Sequence, residues 1–259
     1  SLKAEMQGLG LSLHVAAAWN TDRAALEDCL RKIATSDIIL VNMLFMEEHI
    51  SPVLAALQKR RDSCDAMIGC IASSEIVKLT RLGRLRMDED TGGALALLKR
   101  LRGSKKRQPG DAASAQMKML RRLPKLLKYI PGPAQDLRAY FLIMQYWLSG
   151  SDENVRSLIR YLIDRYADGP RRALRGKLDP QAPVSYPEIG LYHPRLPGSI
   201  TDSPDGLDRF ANGRRGTVGL LLMRSYLLAG NAAQAVISTA ASAGIAGTIA
   251  PDQPASALR

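Results

Sequence analysis

The first ninety residues alternate between continuous apolar runs and stretches with helical spacing. Three apolar runs predict strands, at residues 11–19, 38–45 and 66–71. The second run has a single polar side chain, Asn42, as is typical of a strand that a parallel sheet buries on both faces. Helical spacing with capping residues predicts helices from Arg23 to Ala34, from Glu47 to Arg61, and from Ser74 to about Leu82. This β-α-β-α-β-α order predicts a parallel sheet with crossover helices.

Helical patterns dominate after a glycine-rich and basic interruption. Further helices are predicted at 115–130, where Pro124 should introduce a kink, at 134–148, at 152–166 and at 232–243. Further strands are predicted at 217–223 and 245–250. The fold class is therefore α/β: a Rossmann-like or flavodoxin-like parallel-sheet unit, then a helical region, then the start of a second α/β unit. The expected boundaries are an N-terminal α/β domain at 1–90, a basic Gly-rich linker at 91–113, a helical region with a Pro/Gly-rich segment at 114–213, and an incomplete second α/β unit with an Ala-rich tail at 214–259.

Composition excludes several classes of protein. Hydrophobic residues make up 46% of the 259 positions and charged residues 24%, which is ordinary for a globular chain. Apolar stretches fall short of the roughly 20 residues that span a bilayer, so no transmembrane helix is expected. No signal peptide is recognised at the start of the chain. An odd cysteine count (Cys29, Cys64, Cys70) is no disulfide framework, and it favours the reducing cytoplasm.

Most of the positive charge lies in one segment. The formal net charge is +11, and the window from Lys99 to Lys128 holds eleven basic residues against one acid, Asp111. A flexible linker with a solvated helix face explains such a run. A surface for anionic lipid, nucleic acid or an acidic partner protein explains it equally well. The only aromatic side chain near the window is Tyr129, which argues against nucleic acid.

Sequence motifs provide no self-contained catalytic centre. The three histidines, His14, His49 and His193, are far apart, and none lies at metal-ligand spacing from a cysteine or an acid. No phosphate-binding loop or nucleophile motif is present. His193 lies beside Pro194 in a turn-rich region, where a histidine serves either as a ligand or acid–base group or as an ordinary hydrogen-bonded loop residue.

Four stretches in constant order resemble the large H subunit of magnesium chelatase. They run from Met117 to Pro131, from Ala134 to Asn154, from Gly190 to Pro194, and from Gly216 to Ser225. The similarity extends over about residues 10–230. Family members are several times longer, so the resemblance is to their N-terminal region, with the first strand of that region missing here. After Gly230 the Ala-rich tail departs from the family pattern.

The resemblance implies a protein that binds protoporphyrin IX and works with I and D subunits to insert Mg²⁺ at the expense of ATP. That reaction belongs to (bacterio)chlorophyll biosynthesis and is catalysed by a metal–nitrogen ligase, of which a fragment of this length alone should be inactive. No catalytic or metal-binding residue carries over to this chain, and His193 is the one matched residue nominated for binding. Two alternatives remain open: the equivalent part of a cobaltochelatase large subunit, and a non-catalytic module that docks an acidic partner.

Overall fold

The computed structural model describes residues 8–88, 122–186, 190–193 and 200–203, with positions 205, 222, 227 and 228. The chain divides into two compact units, one formed by residues 1–147 and 156–182, the other by residues 148–155 and 183–259. The predicted linker at 91–113, the helix at 232–243 and the strands at 217–223 and 245–250 lie outside the described residues, apart from Leu222. The domain boundaries expected from the sequence therefore stay predictions.

The described residues alternate between helices and strands, as the sequence pattern predicts. The elements are η1 (Ala16–Ala18), α1 (Arg23–Thr35), β1 (Ile38–Asn42), α2 (Glu47–Arg60), β2 (Ala66–Cys70), α3 (Ser74–Lys78), β3 (Arg81–Leu82), β4 (Leu85–Arg86), a helical stretch at 122–127, α4 (Pro133–Ser149), α5 (Asp152–Tyr166), η2 (Gly169–Leu174), β5 (Leu191–Tyr192) and β6 (Ile200–Thr201). The α/β class is confirmed.

The first unit is built on a four-stranded sheet in the order β1-β2-β3-β4. β1 and β2 are parallel, with Ile38 opposite Ala66 and Asn42 opposite Cys70. β3 is antiparallel to β2 and forms a hairpin with β4. The parallel β1-α2-β2 crossover predicted from the sequence is thus present, and a short antiparallel hairpin continues the sheet.

Each face of this sheet has its own apolar core, because successive side chains of a strand point to opposite faces. Ile39 and Met67 pack with the apolar sides of α1 and α2, including Ile33, Ile50 and Leu57. The other face packs against residues of α4 and α5, where the buried side chains include Ala66, Ile68, Cys70, Leu137, Tyr140, Ile143, Leu158 and Leu162. β2 is consequently buried along its whole length.

A buried carboxylate joins the hairpin to the helices on the second face. Asp136, in the first turn of α4, accepts hydrogen bonds from the Arg84 backbone N–H at 3.0 Å and from the Tyr166 hydroxyl at 3.2 Å. The Arg165 guanidinium lies 3.4 Å from the same carboxylate, of which only 14% is exposed. Burial is the main cause of a raised pKa for Tyr166, which keeps the phenol protonated as a donor. Asp136 therefore fixes three separate elements at one point.

A second polar joint closes the opposite, amino end of the parallel strands. Arg171 of η2 lies 3.0 Å from the carboxylate of Asp37 and 3.3 Å from that of Asp65. The Asp168 backbone N–H also donates to Asp65, at 2.8 Å. The residues that precede β1 and β2 are thereby linked to a segment about a hundred positions later in the chain.

The second unit is described over a shorter length. β5 and β6 pair antiparallel, with Leu191 opposite Thr201. The side chain of Asn154 is almost fully buried and donates to the Ser151 hydroxyl at 2.8 Å and to the Val184 carbonyl at 3.1 Å. The Val184 N–H donates back to Asn154 at 2.9 Å. This reciprocal pair fixes the extended segment before residue 187 without a sheet neighbour.

Two sequence predictions about local structure are wrong. Residues 11–15 form no strand and 16–18 form η1; Leu13 and Val15 are exposed, since neither belongs to the sheet. The helix that begins at Ser74 ends at Lys78, not near Leu82. Gly83, with φ +56°, supplies the turn of the β3–β4 hairpin, and the intervening Arg81 and Leu82 pair as a strand.

Candidate functional site

The candidate site is the edge of the sheet at which the parallel strands β1 and β2 end. In open α/β sheets ligands bind outside the carboxyl ends of parallel strands, because the loops that follow the strands meet there. β1 ends at Asn42 and β2 at Cys70, and the Cys70 thiol lies 3.6 Å from the Asn42 side-chain oxygen. Two backbone hydrogen bonds of 2.9 Å join the following loops, from the amides of Met43 and Ser73 to the carbonyls of Ile71 and Leu44.

Both loops begin with a residue in the left-handed region of backbone conformation. Met43 has φ +55° and Ile71 has φ +48°. A β-branched residue such as Ile71 is rare at positive φ, because its side chain crowds its own backbone. Such conformations cost about 1–3 kcal/mol each and persist only where the surroundings enforce them. The Met43–Ile71 hydrogen bond places the two strained residues side by side at the sheet edge.

The first of these loops exposes three large apolar side chains within four residues. Met43 is 63% exposed, Phe45 55% and Met46 54%. The sequence predicted that the strand continues to Phe45, and that prediction is wrong, because the chain leaves the sheet at Asn42. Flexible methionine side chains adapt their shape to a bound surface. This loop therefore offers apolar contact to a ligand.

Trp19 lies close to this edge. Its indole ring meets the His49 ring edge-on, with 6.4 Å between centroids, and the His49 backbone N–H donates to the Met46 carbonyl at 2.9 Å. The indole Nε1 of Trp19 and the Nε2 of His14 are buried and find no hydrogen-bond partner among the described residues. Trp19 is accordingly a natural fluorescent reporter for the sheet edge.

His193 belongs to the second unit, whereas the sheet edge belongs to the first. It directly follows β5, is partly exposed, and takes part in at least one contact of its own. Its role in binding stays a prediction. No other histidine, cysteine or acid joins it in a group of three that could hold a metal ion anywhere in the described residues.

The basic segment is described only at its end. Lys105, Lys106 and Arg107 lie outside the described residues, whereas Arg122, Lys125 and Lys128 are described and exposed. Within the same described ranges, no helix is both long and apolar enough to cross a membrane.

The three cysteines are free thiols in buried positions. Burial raises the pKa of Cys70 to about 12, and it is also the main cause of the raised pKa values of Cys29 and Cys64. A thiol with a raised pKa yields little thiolate, the form that attacks electrophiles. None of the three is suited to nucleophilic catalysis.

This chemistry predicts the labelling behaviour of the native chain. At about pH 8 iodoacetamide should leave Cys70 unmodified in the folded protein and alkylate it after unfolding, since both access and thiolate are lacking in the fold. Mass spectrometry of tryptic peptides before and after denaturant reads the difference. Fast native alkylation of Cys70 would contradict the buried position of the strand end.

Comparison with known families divides the chain close to the middle. Residues 1–141 match the family model of a domain of unknown function, DUF3479, and residues 144–251 match the CobN/Magnesium Chelatase family model. The two matches together cover most of the chain.

Individual relatives carry one name. The chain is 49% identical to the H subunit of magnesium chelatase from Cereibacter sphaeroides, over 95% of its own length and 20% of the relative's. It is 46% identical to the H subunit from Rhodobacter capsulatus, over 88% of the chain and 19% of the relative. The chloroplastic ChlH subunit of magnesium chelatase from Oryza sativa is 30% identical over 77% of the chain and 15% of the relative. The chain thus spans about a fifth of its bacterial relatives, and it belongs to the family of magnesium-chelatase H subunits.

Proposed function

We propose that this chain forms the N-terminal part of the porphyrin-binding subunit of magnesium chelatase. The observation that carries the proposal is 49% identity over 95% of the chain to a protein of that enzyme. In this proposal the complete enzyme is a metal–nitrogen ligase that inserts Mg²⁺ into protoporphyrin IX, driven by ATP, in (bacterio)chlorophyll biosynthesis. The I and D subunits are its partners, and the cytoplasm is its compartment.

The proposal gives this chain a binding and scaffold role. Mg²⁺ and protoporphyrin IX are substrates of the whole assembly, and no described residue is assigned to insertion. A porphyrin macrocycle is a flat apolar ligand with carboxylate substituents. The exposed apolar loop at Met43–Met46 suits the macrocycle, whereas His193 offers an imidazole in a different unit. Either one is a candidate contact, and they are separable by experiment.

Fluorescence quenching by deuteroporphyrin tests binding directly, because the chain has two tryptophans, Trp19 and Trp147. Two single-tryptophan variants, Trp19→Phe and Trp147→Phe, report from different positions. If the sheet edge takes porphyrin, we expect saturable quenching of Trp19, weakened by Met43→Ser and unchanged by His193→Ala. If His193 is the contact, we expect the reverse ranking of those two variants.

A negative titration has a defined meaning. Should the folded chain leave both tryptophans unquenched, and should the full-length protein also bind no porphyrin, the proposed function is wrong. If the full-length protein binds and this chain does not, the porphyrin contacts are outside this chain and its role is scaffold and partner surface. Circular dichroism of each variant supplies the control for folding.

A cobaltochelatase large subunit is the second candidate, because the matched family model covers both enzymes. The ligand discriminates between them. Preference of the full-length protein for a corrinoid precursor over protoporphyrin would favour the cobalt enzyme.

A further inference from the structure

The short helical stretch at 122–127 has one face in the core and another face in solvent. Leu123 and Leu127 are 3% and 0% exposed and belong to the core on the second face of the sheet. On the outward side and just beyond the helix end, Leu126 is 57% exposed, Tyr129 83% and Ile130 39%. Burial of the inner leucines explains why the segment is helical, but it leaves three large apolar side chains uncovered.

Basic side chains lie among these apolar ones. Arg122, Lys125 and Lys128 are all exposed, and no ion pair involves them within the described residues. The first acid that follows in the chain, Asp136, is already engaged by Arg165 and Tyr166. We call the surface formed by Arg122, Lys125, Leu126, Lys128, Tyr129 and Ile130 the basic–apolar face.

The backbone under this face is held in place by side chains of α4. The Gln135 side-chain amide donates to the carbonyl of Leu127 at 2.8 Å and to that of Ile130 at 2.5 Å. The Arg138 guanidinium donates to the Pro124 carbonyl at 3.0 Å. These bonds satisfy carbonyls that the end of a helix leaves without partners. The face is therefore preorganised, which reduces the entropy lost when a partner binds.

Charge complementarity and fixed shape together select the partner. We propose that the basic–apolar face docks an acidic protein segment that carries apolar side chains between its carboxylates. Three uncompensated cations attract carboxylates and steer the encounter. Tyr129 projects from a rigid turn, and exposed tyrosines of this kind are typical anchors of protein interfaces. The Lys128 ammonium lies 5.8 Å from the Tyr129 ring centroid, so the charge and the anchor form one unit.

Other anionic partners fit the face less well. Single-stranded nucleic acid is bound through successive aromatic platforms, and the face has one aromatic ring. An anionic membrane is bound by a helix whose apolar side enters the lipid, yet the apolar side of this helix, Leu123 and Leu127, is already buried in the core. The docking proposal is independent of porphyrin binding.

The test uses the whole chain and a defined probe. The probe is a fluorescent peptide of about twelve residues in which glutamates and leucines have helical spacing, and the control peptide has lysine in place of glutamate. The face variants are Lys125→Glu/Lys128→Glu and Tyr129→Ala. The matched control, Lys32→Glu/Lys59→Glu, makes the same change in net charge at exposed positions on α1 and α2.

We expect the acidic peptide to bind and the basic peptide not to bind. The double face variant should weaken binding at least about tenfold, the tyrosine variant about fivefold, and the matched control less than about twofold. Higher salt should weaken binding to the unchanged chain and have less effect on the double face variant.

Three results would overturn the proposal. The first is an equal loss of affinity in the face variant and its matched control, since binding would then follow net charge alone. The second is binding of phosphatidylserine vesicles through Lys125 and Lys128 with no binding of the acidic peptide. The third is the same result with a single-stranded oligonucleotide. None of these results bears on the porphyrin titration, so the two proposals fail separately.

Discussion

Gly69→Ala should lower the free energy of unfolding by about 3 kcal/mol, the upper end of what an added methyl group costs in a close-packed core. Gly69 lies inside β2, where α3 crosses directly over the strand. A Cβ at this position would stand 2.3 Å from the carbonyl oxygen of Ile76 and 2.7 Å from its carbonyl carbon. Both are backbone atoms, so no side-chain rotation relieves the clash. The Tyr140 hydroxyl, which donates to the Gly69 carbonyl at 3.1 Å, holds the strand from the opposite face.

Denaturant unfolding followed by circular dichroism measures this loss. Gly10→Ala is the matched control, because a Cβ at Gly10 meets nothing within 4 Å and its backbone needs no positive φ. The control should stay within about 0.5 kcal/mol of the unchanged chain. Equal stability of the two variants would mean that α3 does not lie against β2 at Gly69.

Asp136→Asn should be the second strongly destabilising change, with a loss of about 2–3 kcal/mol. Truncating one member of a buried ion pair costs about 3–5 kcal/mol, and the partial exposure of Arg165, 31%, moves this case below that range. The asparagine keeps the volume of the side chain but removes the charge that balances Arg165. Its amide group also cannot accept on both oxygens from Arg84 and Tyr166.

A double-mutant cycle with Tyr166→Phe separates the network from general loss of packing. If the hydroxyl acts through Asp136, the two substitutions together should cost less than the sum of their separate costs. Asp62→Asn is the control, because its exposed carboxylate, 3.0 Å from Arg86, forms a surface pair that should contribute less than about 1 kcal/mol. Strictly additive losses would show that the Tyr166 hydroxyl and Asp136 do not interact.

Local pattern was sufficient to predict the long elements of the fold. Apolar spacing predicted α1, α2, α4 and α5 within one or two residues of their ends. The Asp22 side chain accepts from the Ala25 N–H at 3.1 Å, as expected of a helix cap. The apolar run predicted β1, although not its end at Asn42. These elements are determined by residues close together in sequence, which is why one sequence suffices to find them.

Features that depend on distant residues were not predictable in the same way. Alternation at Leu11, Leu13 and Val15 suggested a strand, but a strand needs a neighbour, and no described strand pairs with this segment. The Arg84–Asp136 contact joins residues 52 positions apart, and no local pattern announces it. At the candidate site, the positive φ values of Met43 and Ile71 follow from the way two loops meet. The nomination of His193 came from family resemblance and stays a prediction.

The burial of β2 on both faces has a consequence for synthesis on the ribosome. One of its faces is covered by α1 and α2, which flank β1 in the sequence, but the other waits for α4 and α5, completed only at Tyr166. Until those helices emerge, Ile68 and Cys70 lack their cover, so the nascent chain carries an exposed sheet face through most of this stretch of translation. Such an intermediate is a natural client for chaperones that shield apolar surfaces during elongation.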